Sequence, residues 1–211
     1  RTVMAPEPGF VMYRMIGLFT GMHYCGVPLR GDDFELDMPA MREAVEREQP
    51  ALLFVAYPNN PSGNLWPETE IRELIELTPG LVVIDEAYAP FAEATLMDLV
   101  DEYPNVVVMR TVSKMGLAGL RLGLLVGAPG WIEEFDKVRL PYNINVLTQA
   151  SARFALRHRE VFDAQTAEIR GQRAQLTAAL PQLGSLQVFP RMANFPLVRV
   201  PAWRSDTLFA S

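Results

Sequence analysis

Three short apolar runs dictate the class of fold: Ala51–Tyr57 (ALLFVAY), Leu81–Asp85 (LVVID) and Asn105–Arg110 (NVVVMR). Each has the length of a strand and lacks the polar alternation of a strand with one wet face, so each reads as buried on both faces. They begin 30 and 24 residues apart, with helical stretches between them. Each interval therefore has the size of a βαβ unit and implies parallel pairing. The first interval declares its helix. Pro67 stands at the opening position, Glu68 and Glu70 lie where the helix dipole favours acids, and Thr78-Pro79-Gly80 punctuates the end. Leu122–Ala128 (LGLLVGA) reads as a further strand. About a dozen residues separate it from the previous one, too few for a helical crossover, so it is expected to run antiparallel.

Upstream, Arg1–Met4 reads as a strand running into Pro6 and Pro8, Phe10–Met22 as a helix and Tyr24–Leu29 as a strand. Beyond Pro129, Gly130–Lys137 reads as one helix, and Thr148–Leu180 carries apolar residues at helical spacing, as a long connecting helix would. A boundary is expected near Leu180–Ser185. Residues 1–180 then form the central part of an α/β domain with a mostly parallel sheet. Residues 181–211 begin a smaller α+β domain, whose LQVF and FPLVRV segments alternate like strands. The start, RTVM, reads as mid-strand, and Asp206 could cap a helix for which no full turn follows. The expectation is a piece of a longer chain.

Composition removes several classes of function. Lys and Arg number 19 against 25 Asp and Glu, a net charge of −6, which lacks the basic footprint of a nucleic-acid binder. No run approaches the ~18 consecutive apolar residues of a membrane span. The one cysteine, Cys25, has no partner for a disulfide or a cysteine-rich metal site, which points to a reducing, cytoplasmic setting and a core role for the thiol. His23 and His158 stand alone, outside any metal-ligand spacing, so no metal is expected. Neither a phosphate-binding G-x-x-x-x-G-K-[ST] loop nor a G-x-S-x-G nucleophile elbow occurs.

In open α/β sheets ligands bind beyond the carboxyl ends of the strands. Parallel pairing puts three such ends on one rim: Tyr57-Pro58-Asn59-Asn60-Pro61-Ser62-Gly63, then Asp85-Glu86-Ala87-Tyr88, then Thr111-Val112-Ser113-Lys114 with Gly116, Gly119 and Arg121 after it. Taken singly, each has an unremarkable reading: a turn, an acidic strand end, a surface lysine. Lys114 differs because a serine precedes it and glycines follow, where backbone can approach an anion.

N-P-S-G, D-E-A-Y and S-K-x-G-L-A-G-L-R-L-G, in this order and spacing, resemble the fold-type I pyridoxal-phosphate aminotransferases, and among them the histidinol-phosphate aminotransferases. Leu140-Pro141-Tyr142-Asn143, Thr148-Gln149 and Ala193-Asn194-Phe195 share the likeness, which covers nearly the whole chain. The resemblance implies the large-domain fold of that class and pyridoxal 5'-phosphate as cofactor. Lys114 matches the lysine that holds the cofactor aldehyde and then carries protons. Asp85 matches the partner of the pyridine nitrogen, which must stay protonated for the ring to draw electrons. Asn60 and Tyr88 match the residues that hydrogen-bond the ring's 3-oxygen. Ala87 matches the position under the ring, and Phe10 the aromatic on its other face. Thr111, Ser113 and Arg121 resemble phosphate anchors, the guanidinium being suited to a two-pronged grip. Glu86 should point to the opposite face and serve structure.

The stretch from Lys114 to Arg121 is one residue shorter than in many relatives, and a small loop adjustment is expected. The resemblance further implies transamination between histidinol phosphate and 2-oxoglutarate, hence small-molecule amino-donor and 2-oxo-acid partners, in a homodimer whose interface includes Pro141–Gln149. It also implies that a glycine-rich phosphate-binding segment lies upstream of Arg1 and a substrate-gripping arginine downstream of Ser211, so the piece alone is expected to be inactive. Another amino-acid aminotransferase, a related phosphate-ester decarboxylase and a non-catalytic remnant of the fold remain alternatives. Retention of Lys114, Asp85, Tyr88, Asn60 and Arg121 together argues against the last.

Overall fold

The structure is a computed structural model, and it describes residues 1–184, 186–189 and 191–200. Its centre is a six-stranded sheet built from β1 (Thr2–Glu7), β2 (His23–Pro28), β3 (Leu52–Ala56), β4 (Leu81–Asp85), β5 (Val106–Thr111) and β6 (Gly123–Gly127), in the spatial order β2-β1-β3-β4-β5-β6. All pairs are parallel except β5–β6, which is antiparallel with Val107 opposite Gly127 and Thr111 opposite Gly123. The short connection before β6 predicts that reversal. β4 is buried at every residue, as its unbroken apolar run requires.

Helices cover both faces. α2 (Met38–Glu48), α3 (Glu68–Leu77) and α4 (Leu99–Glu102) pack with Leu53, Val55, Val82, Ile84, Val106 and Val108 on one face. α1 (Met12–Phe19) and α5 (Pro129–Val138) lie on the other, where Tyr13 and Phe135 meet Phe54, Ala56, Val83 and Val107. The pleat thus sorts odd and even residues of β4 to opposite sides. That sorting is what later separates Asp85 from Glu86.

α3 follows Pro67 and ends at Thr78, whose Oγ1 donates to the Leu74 carbonyl at 2.6 Å. The chain then turns so tightly into β4 that a Cβ on Gly80 would stand 2.3 Å from the Ala51 carbonyl oxygen, so only glycine fits. α2 is an element the sequence patterns above do not mark. Asp37 caps it by accepting from the Ala40 N–H at 3.1 Å, Pro39 lies in its first turn, and Met41, Ala44 and Val45 face the core.

The helical stretch expected over 148–180 is two helices, α6 (Val146–Arg157) and α7 (Arg159–Ala179). At His158 the backbone leaves helical geometry (φ −114°, ψ 32°), and its N–H turns to the Ala155 carbonyl at 3.0 Å. The stretch also starts earlier than expected, because Asn145 caps α6 by accepting from the Thr148 N–H at 2.9 Å. α7 is tied down by arginines: Arg170 donates to the Pro90 carbonyl at 3.0 Å, and Arg173 to those of Phe91 and Ala193 at 3.0 and 2.6 Å.

β7 (Gln187–Phe189) and β8 (Leu197–Arg199) form a separate antiparallel pair. Between them the Met192 N–H donates to the Gly63 carbonyl at 2.9 Å, and Arg191 donates to the Asp33 carbonyl at 2.9 Å. The helix start expected at Asp206 lies outside the described residues, as does Ser185 at the expected boundary.

Candidate functional site

The sheet order reverses direction at β1: the chain steps from β1 to β2 on one side and returns to β3 on the other. Such a switch point opens a crevice at the carboxyl ends of the strands. A cavity of about 310 Å3, open to solvent, lies there. It is lined by Phe10 and Tyr13 after β1, Ala56, Pro58 and Asn60 at the end of β3, Asp85, Ala87 and Tyr88 at the end of β4, and Lys114 after β5. Six of the residues singled out from the sequence, Phe10, Asn60, Asp85, Ala87, Tyr88 and Lys114, therefore share one lining.

Asp85 ends β4 on the α1 face and is 7 % exposed. Its Oδ2 accepts from the Tyr13 hydroxyl at 2.7 Å, and its Oδ1 from the Ala87 N–H at 3.0 Å. Burial raises its pKa from the ordinary value, while those two hydrogen bonds and the charge of Lys114 pull it back. The Lys114 ammonium stands 5.0 Å from the centroid of the Tyr88 ring, within cation–π range. Asn60 Nδ2 donates to the Tyr88 hydroxyl oxygen at 3.4 Å, which places an amide and a phenol side by side in the lining. Phe195 packs edge-on against Tyr88 with ring centroids 5.4 Å apart.

Thr111, Ser113 and Arg121 are on the segment that carries Lys114 but outside the cavity lining. Thr111 Oγ1 and Ser113 Oγ are 2.8 Å apart, and the Ser113 N–H donates to Thr111 Oγ1 at 3.1 Å. Arg121 is exposed and donates to the Ala118 carbonyl at 3.0 Å. Between them the chain makes two single turns of 3-10 helix, Ser113–Met115 and Ala118–Leu120, separated by Gly116 at φ +89°. The shortened stretch thus turns where only glycine sits without strain.

Glu86 faces the other way, as the pleat demands. Its side chain is out of solvent and accepts from Arg110 Nη2 at 2.6 Å, Arg110 Nε at 2.8 Å, the Leu96 N–H at 2.6 Å and Thr95 Oγ1 at 2.8 Å. Tyr13, Ala56 and Pro58 line the cavity without being singled out from the sequence. The available signal for Tyr13 is its spacing, three residues after Phe10 in a stretch that reads as a helix. Among the described residues no cluster of His, Cys, Asp and Glu could hold a metal ion, and no helix is long and apolar enough to cross a membrane.

The family of class I and II aminotransferases matches residues 1–209. The chain belongs to this family. A histidinol-phosphate aminotransferase of Chromobacterium violaceum is 56 % identical over 199 residues, covering 94 % of this chain and 56 % of that protein. Histidinol-phosphate aminotransferase 2 of Nitrosococcus oceani is 53 % identical over 211 residues, 100 % of this chain and 58 % of that protein. The chain therefore spans a little over half the length of the curated relatives it matches. The crystal structure of histidinol-phosphate aminotransferase from Sinorhizobium meliloti in complex with pyridoxal-5'-phosphate superposes with a TM-score of 0.83 at 29 % identity, over 93 % of this chain and 54 % of that one. The mostly parallel sheet with its single antiparallel strand is the fold-type I architecture of these enzymes.

The residues present suit the cofactor of the family. A buried carboxylate suits a cationic ring nitrogen, alanines at 56 and 87 leave the lining free of bulky side chains there, and an amine and a phenol with an amide beside it reach the same space.

Proposed function

We propose that the protein is a pyridoxal-phosphate-dependent aminotransferase that moves an amino group between L-histidinol phosphate and 2-oxoglutarate in histidine biosynthesis. The observation that carries the reading is the meeting of Lys114 and the buried Asp85 in one cavity at the switch point of the sheet. The 50–56 % identity to proteins named for this activity supports the substrate assignment.

Bound in this cavity, pyridoxal 5'-phosphate would supply an electron sink that eases proton removal from the amino-bearing carbon. Lys114 Nζ would hold the aldehyde end of the group and would carry a proton to and from the amino-bearing carbon. The Asp85 carboxylate would hold the ring N–H and favour its protonated form. Asn60 Nδ2 and the Tyr88 hydroxyl would donate to the ring's 3-oxygen. Ala87 would leave room on one side of the ring, and Phe10 would cover the other. Ser113, Thr111 and Arg121 would hold the phosphate, for which the Arg121 guanidinium would leave the Ala118 carbonyl.

The reading includes residues 1–180 as the cofactor-binding part, 181–211 as the start of a second domain, and a cytoplasmic homodimer. Support for the dimer comes from exposed apolar side chains on α1 and from the end of α5 to the start of α6, among them Phe19, Val138, Leu140, Tyr142 and Leu147. Exposed apolar surface of this extent marks interfaces.

The test is a titration with pyridoxal 5'-phosphate followed by visible absorbance, then borohydride trapping and peptide mapping. In the whole protein a pyridoxyl label on Lys114, lost in Lys114→Ala, is expected, with glutamate formed from histidinol phosphate and 2-oxoglutarate. A label elsewhere, or none on the folded whole protein, would refute the cofactor assignment. Release of carbon dioxide from a phosphorylated amino acid, without glutamate, would place the protein with the decarboxylases instead.

A further inference from the structure

Asp85 does not meet the cavity as a free rotor. Each of its oxygens accepts one hydrogen bond from the protein, Oδ2 from the Tyr13 hydroxyl and Oδ1 from the Ala87 N–H. That fixes the carboxylate plane and leaves one lone pair on each oxygen for a donor in the cavity. Tyr13 is itself held firmly. It is 3 % exposed, its ring lies flat on Phe54 at 4.3 Å with 5° between planes, and Phe10 meets it edge-on at 5.5 Å. Stacking on one side and an edge contact on the other leave the hydroxyl one place to point.

We propose that Tyr13 is a positioning residue of this site, its hydroxyl clamping the Asp85 carboxylate in the orientation that receives a protonated ring nitrogen. The proposal rests on the cofactor reading above and adds a residue to it. Phe10 lies just before α1, and its carbonyl accepts from the Tyr13 N–H at 3.0 Å, so the ring cover and the carboxylate clamp are tied to each other. The groups around the clamp are Tyr24 from β2, Glu86 and Tyr88 from the end of β4, and Lys114 from the segment after β5. Burial and the neighbouring carboxylate push the ionisation of Tyr13 well up, so the phenol stays a donor at neutral pH. Donation to the charged form favours that form, so the clamp also opposes the burial that would neutralise Asp85.

Tyr13→Phe removes the hydroxyl and keeps the stacked ring. In the whole protein without cofactor, labelled with 13C-aspartate, the Asp85 resonance is assigned by its loss in Asp85→Asn. Its titration midpoint is expected to rise by about one pH unit in Tyr13→Phe, the size of one charge-assisted hydrogen bond. Replacing Tyr13 with 2,3-difluorotyrosine, a stronger donor that keeps every contact, is expected to lower the midpoint, and this arm stands if Tyr13→Phe does not fold. Affinity for pyridoxal 5'-phosphate is expected to fall about tenfold in Tyr13→Phe. Equal midpoints in the wild type and in both variants overturn the clamp. If Asp85→Asn weakens cofactor binding at the same time, the cofactor reading survives that loss. Wild-type cofactor affinity in Asp85→Asn would instead overturn the cofactor reading and this proposal with it.

Discussion

The Glu86–Arg110 pair offers the sharpest stability test, because a carboxylate fully out of solvent depends on one cation. The Glu86 side chain is 0 % exposed and that of Arg110 is 35 % exposed. Arg110→Met keeps the unbranched stem and removes the charge, both bonds to Glu86 and the 2.8 Å bond from Nη2 to Thr95 Oγ1. Breaking a buried pair by deleting one partner costs about 3–5 kcal/mol. Two features lower the figure here. Water can follow the guanidinium out through its exposed third, and Glu86 keeps the Leu96 N–H and the Thr95 hydroxyl. A loss of about 2–3 kcal/mol is expected, which for a chain of this size lowers the melting temperature by about 4–12 °C. Urea unfolding of the cofactor-free protein measures it. Glu86→Gln in the same background should recover more than half of the loss, since a neutral amide leaves no unpaired charge behind. A loss under about 0.5 kcal/mol would mean that the pair behaves like an exposed one. A double variant no better than Arg110→Met would show that charge is not the cause. Either result refutes the reasoning.

Two further changes test other parts of the fold and site. Burial raises the pKa of Asp85 in the folded protein, above its unfolded value of about 3.9. Its stabilising contribution is therefore fully present below about pH 4 and is lost as pH rises through the folded value. Without cofactor, the urea midpoint of Asp85→Asn should gain on that of the wild type as pH rises from about 4 through the folded value and then level off, and a difference that does not change with pH would contradict this. Gly80→Ala puts a Cβ 2.3 Å from the Ala51 carbonyl oxygen and 2.5 Å from that of Pro50, both backbone atoms at the start of β3. A loss of about 3 kcal/mol, at the upper end for overpacking, is expected by urea unfolding, and a loss below about 1 kcal/mol would show that the turn gives way.

The strands were legible because burial on both faces writes itself as unbroken runs such as LVVID. The antiparallel turn of β6 followed from chain length alone. α2 was not read, although Asp37 and Pro39 mark its start. Its core contacts are carried by Met41, Ala44 and Val45, with Arg42, Glu43, Glu46 and Arg47 between them, a thin stripe that composition hides. The break at His158 has no sequence mark, since histidine neither caps nor interrupts a helix by itself. In the site, Lys114, Asp85, Tyr88 and Asn60 were legible because parallel pairing gathers strand ends. Tyr13 was not. A tyrosine among Phe10, Met12 and Ile16 reads as one more core side chain, and only the packing of α1 over β4 reveals that its hydroxyl meets a carboxylate.

The adjacent carboxylates of β4 show how one pleat yields two roles. Glu86 turns to the face where β5 offers Arg110, so its charge is matched inside the protein by a guanidinium and four hydrogen bonds. Asp85 turns to the face where α1 offers a phenol. A hydroxyl and an amide each fill one lone pair without cancelling its charge, and the Lys114 ammonium is drawn to the Tyr88 ring rather than bonded to the carboxylate. A buried negative charge held by neutral donors destabilises the cavity until a cation arrives, and under the proposed function a protonated pyridine would supply that counter-charge. The same logic explains the cost seen in its raised pKa, since burial opposes an anion there. Two neighbours in sequence, with the same charge and similar burial, are thus sent to an internal ion pair and to the cavity by which helix or strand the pleat turns them towards.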